Sequence, residues 1–265
     1  MSAAVFKEGE SKWLLRSWRC SRPRMRLFCF PSAGFGAAMY RQWPPLLPEH
    51  LELLAVQPPG RGNRLKEPPL DRFQRLCNAL LPEILPLTDR PYAFFGHSMG
   101  AVFASQVAIA LQNAGAQTPT HLFLSSRQPP DSPSPVAPLS HLDDNSFLNE
   151  LDSRYGAIPK EIRAAPDVLA LLLPALRADI AALEAIEGAT CKALPAPVTA
   201  LGGDEDHLVS EAALTAWRNW APRGFHSRIF PGGHFYLDAC RAAVINEIVD
   251  VLNQALNRIE ASGDH

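Results

Sequence analysis

The residues best suited to chemistry are Gly96-His97-Ser98-Met99-Gly100, a serine with glycines two positions before and after it. A serine on a sharp strand-to-helix turn needs small neighbours on both sides, because larger side chains would collide with the strand and the helix. The same turn brings the N–H of Met99 to the N-terminal end of the following helix, where developing negative charge is stabilised. The chemistry this suits is nucleophilic acyl transfer with Ser98 as the nucleophile. The pentapeptide is weak alone and gains weight from its context, the apolar run Tyr92–Phe95 before it and a helical pattern from Met99 onward. An ordinary strand–helix turn with a capping serine is the plainer alternative.

Such a serine needs a base, and Gly232-Gly233-His234-Phe235 follows the last apolar run, with paired glycines that let a loop carry an imidazole back over strand ends. His97 reads as a neighbour inside the turn. His50, His121, His141, His207, His226 and His265 read as surface, strand or tail residues. An orienting acid is expected after the preceding strand, in Gly202-Gly203-Asp204-Glu205-Asp206-His207-Leu208-Val209. The spacing Gly203, Asp206, Val209 favours Asp206, with Asp204 as the alternative. An oxyanion needs a second donor from the loop after an early strand. The loop Phe30-Pro31-Ser32-Ala33-Gly34 offers the Ala33 N–H as partner to that of Met99. A phosphate-loop reading of Gly34–Gly36 fails for want of the Lys-Ser/Thr ending.

Short apolar runs must carry these loops. Arg26–Phe30, Leu51–Val56, Tyr92–Phe95, His121–Ser125, Val198–Leu201 and His226–Phe230 read as strands of central, near-continuously apolar character. Met99–Asn113 reads as a helix stopped at Gly115, and Ala239–Leu256 as a closing helix. Gln128–Pro138 is rich in Pro and Ser; beyond it Asp143–Leu151, Lys160–Leu173 and Pro174–Ile186 look helical with no strand between them. That stretch is either a long connection or, as fold analogy favours, a lid over the site. The pattern predicts α/β architecture: a mostly parallel central sheet with helices on both faces. The chain order Ser, Asp, His is that of the α/β-hydrolase fold, here one domain over 1–265 with a lid insertion at about 130–190.

Composition narrows the classes. Apolar residues make up 47% and charged residues 20% of 265, enough to bury a core without staples, and the net charge of −2 gives no reason to expect nucleic-acid binding. Five cysteines (Cys20, Cys29, Cys77, Cys191, Cys240) at irregular spacing argue for a reducing compartment, with Cys29 as a small buried hydrophobe. Met1–Lys12 holds no apolar stretch of signal-peptide type, and no window approaches the roughly 18 apolar residues of a membrane helix. A cytoplasmic enzyme is the expectation, with monomer as the default oligomeric state.

With these motifs in order, the chain resembles the type II (external) thioesterases of nonribosomal peptide and polyketide synthesis, from Trp13 to the last helix. The resemblance is carried by Arg26-Leu27-Phe28-Cys29-Phe30-Pro31-Ser32-Ala33-Gly34, by Gln57-Pro58-Pro59-Gly60-Arg61-Gly62-Asn63-Arg64 and by Phe95-Gly96-His97-Ser98-Met99-Gly100. Leu176-Arg177-Ala178-Asp179 and Pro231-Gly232-Gly233-His234-Phe235-Tyr236-Leu237 complete it. Two departures are Ser32 and Phe35, where the family often has His and Gly. The resemblance implies hydrolysis of acyl or aminoacyl thioesters from the phosphopantetheine arm of carrier proteins, which clears mis-primed synthases. It implies Ser98, Asp206 and His234 as triad, no metal or organic cofactor, carrier proteins as partners, and neither nucleic acid nor membrane. A small-molecule carboxylesterase or lipase is the alternative on the same scaffold, and a non-catalytic binding module is the alternative of another class.

Arg177 and Asp179, two positions apart on one helix, do not face each other and need other partners. Arg61 and Arg64 lie on a Gly/Pro-rich turn, placed to meet an acidic carrier or a phosphate, or simply solvent. Phe35, Met39, Tyr40, Phe147 and Tyr155 could line an acyl pocket, or belong to the core.

Overall fold

The computed structural model of the chain describes residues 11–16, 22–134, 136–156, 160–190 and 192–263. Cys20, Cys191, His265 and most of the Met1–Lys12 segment lie outside the described residues. In chain order the elements are β1 (Leu14–Leu15), β2 (Met25–Phe30), β3 (Leu51–Val56), α1 (Phe73–Ile84), β4 (Tyr92–His97), α2 (Met99–Asn113) and β5 (His121–Ser125). They continue with α3 (Asp144–Tyr155), α4 (Lys160–Arg163), α5 (Pro166–Ile186), β6 (Val198–Gly203), α6 (Glu211–Thr215), β7 (Phe225–Phe230) and α7 (Arg241–Gly263).

The strands form one sheet in the order β1-β3-β2-β4-β5-β6-β7, parallel except for β1, which pairs antiparallel with β3. Because side chains alternate across a strand, each central strand feeds two cores. Phe28, Phe30, Phe94, Leu122 and Leu124 pack on the side of α1 and α2. Leu27, Cys29, Phe95 and Phe123 pack against Val244, Ile245, Ile248 and Leu252 of α7. Each such large side chain contributes about 1.5–3 kcal/mol of burial. Both faces being covered, β2 to β6 are mostly apolar, and the two charged residues within them, Arg26 and Glu52, are buried as a pair.

Four features depart from the sequence expectations. β1 is a two-residue edge strand with no readable pattern. α1 fills a stretch where no element is expected, although its buried Phe73, Leu76, Cys77, Leu80 and Ile84 keep helical spacing. β7 is an edge strand with His226 and Arg228 exposed, not the central, apolar strand expected. Pro174 does not divide a helix: α5 runs through it from Pro166, which sits in the first turn where a missing N–H costs nothing. Ala170, four residues before Pro174, is exposed, so the carbonyl left without its helical donor is open to water.

Helices α3, α4 and α5 all lie between β5 and β6. The Asp143 side chain caps α3 by accepting from the N–H groups of Asn145 (3.0 Å) and Ser146 (3.1 Å). Arg177 of α5 donates to Asp144 and to the Leu142 carbonyl and lies over the Phe147 ring, joining α5 to α3. Among the described residues no helix is long and apolar enough to cross a membrane. Cys29, Cys77 and Cys240 are free thiols.

Candidate active site

Ser98 stands on the turn from β4 to α2 at φ 55° and ψ −118°, a conformation that L residues rarely adopt. Strain of this kind costs about 1–3 kcal/mol and persists only where the surroundings over-determine it. The surroundings here are two glycines. A Cβ on Gly96 would lie 2.0 Å from the Gly100 carbonyl oxygen, and one on Gly100 would lie 2.1 Å from that of Phe30. The Ser98 N–H donates to the Ser125 carbonyl at 2.8 Å, tying the turn to β5.

The loops after β6 and β7 meet this serine at the C-terminal edge of the sheet. His234 Nε2 lies 3.0 Å from Ser98 Oγ, and His234 Nδ1 lies 2.9 Å from Asp206 Oδ2. The three residues are 8–9% exposed. Asp206 Oδ1 accepts from the N–H groups of Leu208 (3.0 Å) and Val209 (3.2 Å). Burial alone would raise the Asp206 carboxyl; the hydrogen bond and charge of His234, with the two N–H donors, outweigh it and hold the group below its usual value. Asp204 plays a different part: its carboxylate accepts the Gly232 N–H at 2.8 Å and so braces the histidine loop. The two loops approach so closely that a Cβ on Gly203 would lie 2.1 Å from the Gly232 carbonyl oxygen.

His97 is fully buried beside this arrangement. Its Nδ1 lies 2.8 Å from Ser125 Oγ, which lies 2.8 Å from the Tyr236 hydroxyl. Burial, assisted by neighbouring His234, pushes the His97 imidazole well below its usual value, so it is neutral. Every hydroxyl proton is used if Tyr236 donates to Ser125 and Ser125 to Nδ1, which leaves the His97 proton on Nε2. The chain Tyr236–Ser125–His97 thus fastens the histidine loop to the ends of β4 and β5. Nothing in the sequence pattern marks Ser125 or Tyr236 for this task.

Asp179 is the second feature that periodicity could not disclose. Its carboxylate is wholly buried and takes the Gly34 N–H (2.8 Å), Arg61 Nη1 (2.5 Å) and Arg61 Nη2 (2.9 Å). Arg61 also donates to the Phe35 carbonyl at 3.2 Å. One ion pair therefore locks helix α5 to the loop after β2. Arg64 is buried too: it lies over the Trp13 ring, pairs with Glu67 and donates to the Gln57 carbonyl. Neither arginine is on the surface, because the turn carrying them folds inward beneath α5. The Ala33 N–H meets no backbone carbonyl among the described residues, and Met99 opens α2, where the first N–H groups have no acceptor within the helix.

Ser98 and His234 open on a cavity of about 390 Å³ whose far walls are aliphatic, from Leu151, Ile162, Leu169, Leu172, Leu173, Leu176, Ile180 and Leu183 of the α3–α5 segment. Tyr155 and Phe235 flank the His234 ring, with centroids at 5.2 and 5.1 Å. Of the aromatic candidates for a pocket, Phe35 and Tyr155 line this cavity; Tyr40 and Phe147 are buried, and Phe147 belongs to the core. Among the described residues no cluster of three His, Cys, Asp or Glu side chains could hold a metal ion. A serine in hydrogen-bond contact with a histidine, itself held by a carboxylate, can attack a carbonyl carbon and form an acyl intermediate.

Sheet order, helices on both faces and a serine turned outward at the end of β4 define an α/β-hydrolase. Residues 25–253 match the family model described as "Thioesterase domain". The chain belongs to the thioesterase family, serine hydrolases that act on thioesters. It is 35% identical over 227 residues to the gramicidin S biosynthesis protein GrsT of Aneurinibacillus migulanus, covering 86% of this chain and 88% of that protein. Among solved structures, the type II thioesterase BorB from the borrelidin biosynthetic cluster is 30% identical with a TM-score of 0.82, covering 94% of this chain and all of its own. YbtT, a type II thioesterase from the yersiniabactin NRPS/PKS pathway, is 29% identical with a TM-score of 0.81, covering 92% of this chain and 99% of its own.

Proposed function

We propose that this thioesterase hydrolyses acyl and aminoacyl thioesters carried on the phosphopantetheine arm of carrier proteins, and so frees mis-primed nonribosomal peptide or polyketide synthases. The observation that carries the reading is the Ser98–His234–Asp206 chain of hydrogen bonds opening on a cavity with aliphatic far walls. In this reading Ser98 Oγ attacks the thioester carbonyl carbon while His234 Nε2 takes its proton. Asp206 holds the imidazole with its other proton on Nδ1 and stabilises the imidazolium. The oxyanion is received by the N–H groups of Met99 and Ala33. Collapse of the tetrahedral adduct breaks the C–S bond; a thiol of pKa about 8.5 leaves with little acid assistance and takes its proton from His234. Water, deprotonated by His234, then attacks the acyl-serine, releasing the carboxylic acid and restoring Ser98. The reaction uses only these groups and water.

The α3–α5 segment acts as the lid: its leucines supply an apolar wall for the acyl chain, and its ion pair to Arg61 sets the loop that offers Ala33. The relatives in gramicidin S, borrelidin and yersiniabactin assembly support a carrier-bound substrate. The test is release of acetyl, aminoacyl and longer acyl groups from phosphopantetheinyl carrier proteins, beside p-nitrophenyl esters, with Ser98→Ala as control. Rapid release from carriers, lost in the variant, is expected. Turnover of free esters with inert carriers would replace this reading by a carboxylesterase.

A further inference from the structure

A thioester has two arms, and the cavity above Ser98 accommodates one of them. A second cavity of about 550 Å³ lies on the other side of the Phe35–Phe235 pair, whose rings are 6.3 Å apart. The two cavities share Phe35, Gly36, Ala38 and Phe235 as a common wall. One side of this outer groove starts at Phe35, beside the Gly34 loop, and runs to Arg41 and Trp43. The other starts at Phe235, next to His234, and runs to Asp238 and Arg241. Each side thus begins at the reacting centre and leads to an arginine.

The two spaces differ in chemistry. The inner one ends in leucine and isoleucine side chains, where an anion would lose its hydration without compensation, and the guanidinium in its lining, Arg61, is already neutralised by buried Asp179. The outer groove carries two guanidinium groups. Arg241 is ion-paired with Asp238 at 3.0 Å, whereas exposed Arg41 pairs with no acid among the described residues. Phe35, 41% exposed, is a large apolar side chain held at the divide by the Gly34 and Phe35 backbone contacts to Asp179 and Arg61.

We propose that the outer groove seats the thiol arm of the substrate, admitted to Ser98 when the exposed Phe35 ring turns away from Phe235, with its phosphodiester held by Arg41. This inference rests on the reading of the enzyme as a carrier thioesterase and adds which face of the molecule meets the carrier. The acyl group lies under α5 and the arm lies along residues 35–43 and 235–241, with Gly156 at the end of α3 on the groove's margin, so the carrier docks over Arg41. Arg41 is a binding residue in this scheme, with no part in proton transfer.

Three substrates with one acyl group test it: the acyl-phosphopantetheine, the acyl-pantetheine without phosphate, and the N-acetylcysteamine thioester. The wild-type enzyme is expected to prefer the phosphorylated arm over acyl-pantetheine in kcat/KM, and the preference to fall as salt rises. A charge-assisted contact of this kind corresponds to about tenfold. Arg41→Ala collapses that ratio toward one and Arg41→Lys restores part of it, while Arg75→Ala, a charge change on α1 far from the groove, keeps it. A ratio near one in the wild type, or a ratio unmoved by Arg41→Ala, overturns the groove assignment while leaving the thioesterase reading intact. Failure of the wild type on all three thioesters overturns the underlying reading instead.

Discussion

Replacing Asp179 by alanine removes a carboxylate on which the Gly34 N–H and two Arg61 nitrogens converge within 2.9 Å. The Arg61 guanidinium, 3% exposed, is then a buried charge without its counter-ion. Removing one partner of such a pair costs about 3–5 kcal/mol, and the cost of the orphaned Gly34 N–H overlaps with it, so about 4 kcal/mol is expected in total. For a domain of this size that lowers the melting temperature by on the order of 10 °C. The catalytic effect is separate. Gly34 and Phe35 adjoin Ala33, proposed above to receive the oxyanion, so freeing them is expected to displace its N–H, and loss of one such donor costs about 10²–10³ in kcat. The measurement is kcat and KM on an acyl-carrier substrate well below the lowered melting temperature, beside thermal melts. The double variant Arg61→Met/Asp179→Leu replaces the pair by apolar groups and is expected to recover most of the stability without recovering kcat. If Asp179→Ala keeps wild-type kcat while melting earlier, the pair is only structural and the coupling of α5 to the oxyanion loop is wrong.

Other outcomes follow from the same geometry. Ser98→Ala is expected to lower kcat by at least about 10³-fold in single-turnover assays with little change in melting temperature, because only a hydroxyl is lost and alanine meets the same backbone strain at this turn as serine. Gly100→Ala puts a methyl group 2.1 Å from the Phe30 carbonyl oxygen, and should yield protein that circular dichroism shows misfolded or that a fluorophosphonate fails to label. Burial holds His121 at about 4 and His97 well below its usual value, so both stay neutral in the fold. Below about pH 6.5 the unfolded chain binds protons that the folded one refuses, so stability falls as pH drops from 6.5 toward 4, with roughly 3 kcal/mol at stake for His121. Melts across that range should show a shallower decline in His121→Gln; an unchanged slope would refute the assignment. Tyr236→Phe breaks the chain to Ser125 and His97, and is expected to lower kcat a few-fold, with the loss seen in kcat more than in KM.

The loops and elements set by local geometry were legible in the residues. A serine with glycines at two positions on either side, between an apolar run and a helical one, describes its own turn, because steric exclusion over five residues is a local matter. The strands β2 to β6 announce themselves because burial on both faces leaves them mostly apolar. Even the Gly203-Asp206-Val209 spacing holds a reason visible in the fold: Asp206 accepts from Val209 and Leu208 while it meets His234. α1 was not among the elements expected, although its buried residues keep the helical spacing that could have marked it. What tertiary structure alone decided are partnerships across long separations. Arg61 and Asp179 stand 118 residues apart, and the sequence marks each as charged without saying that both are buried and paired. Asp204 and Asp206 are alike in sequence, yet one braces Gly232 and the other holds His234, a difference made by the loop from β7 crossing above them. The groove between residues 35–43 and 235–241 exists only because the sheet order brings the ends of distant segments to one edge. Periodicity reports which face of an element is buried; it carries no information about which distant charge will be waiting there, because that is set by chain packing and not by any local preference.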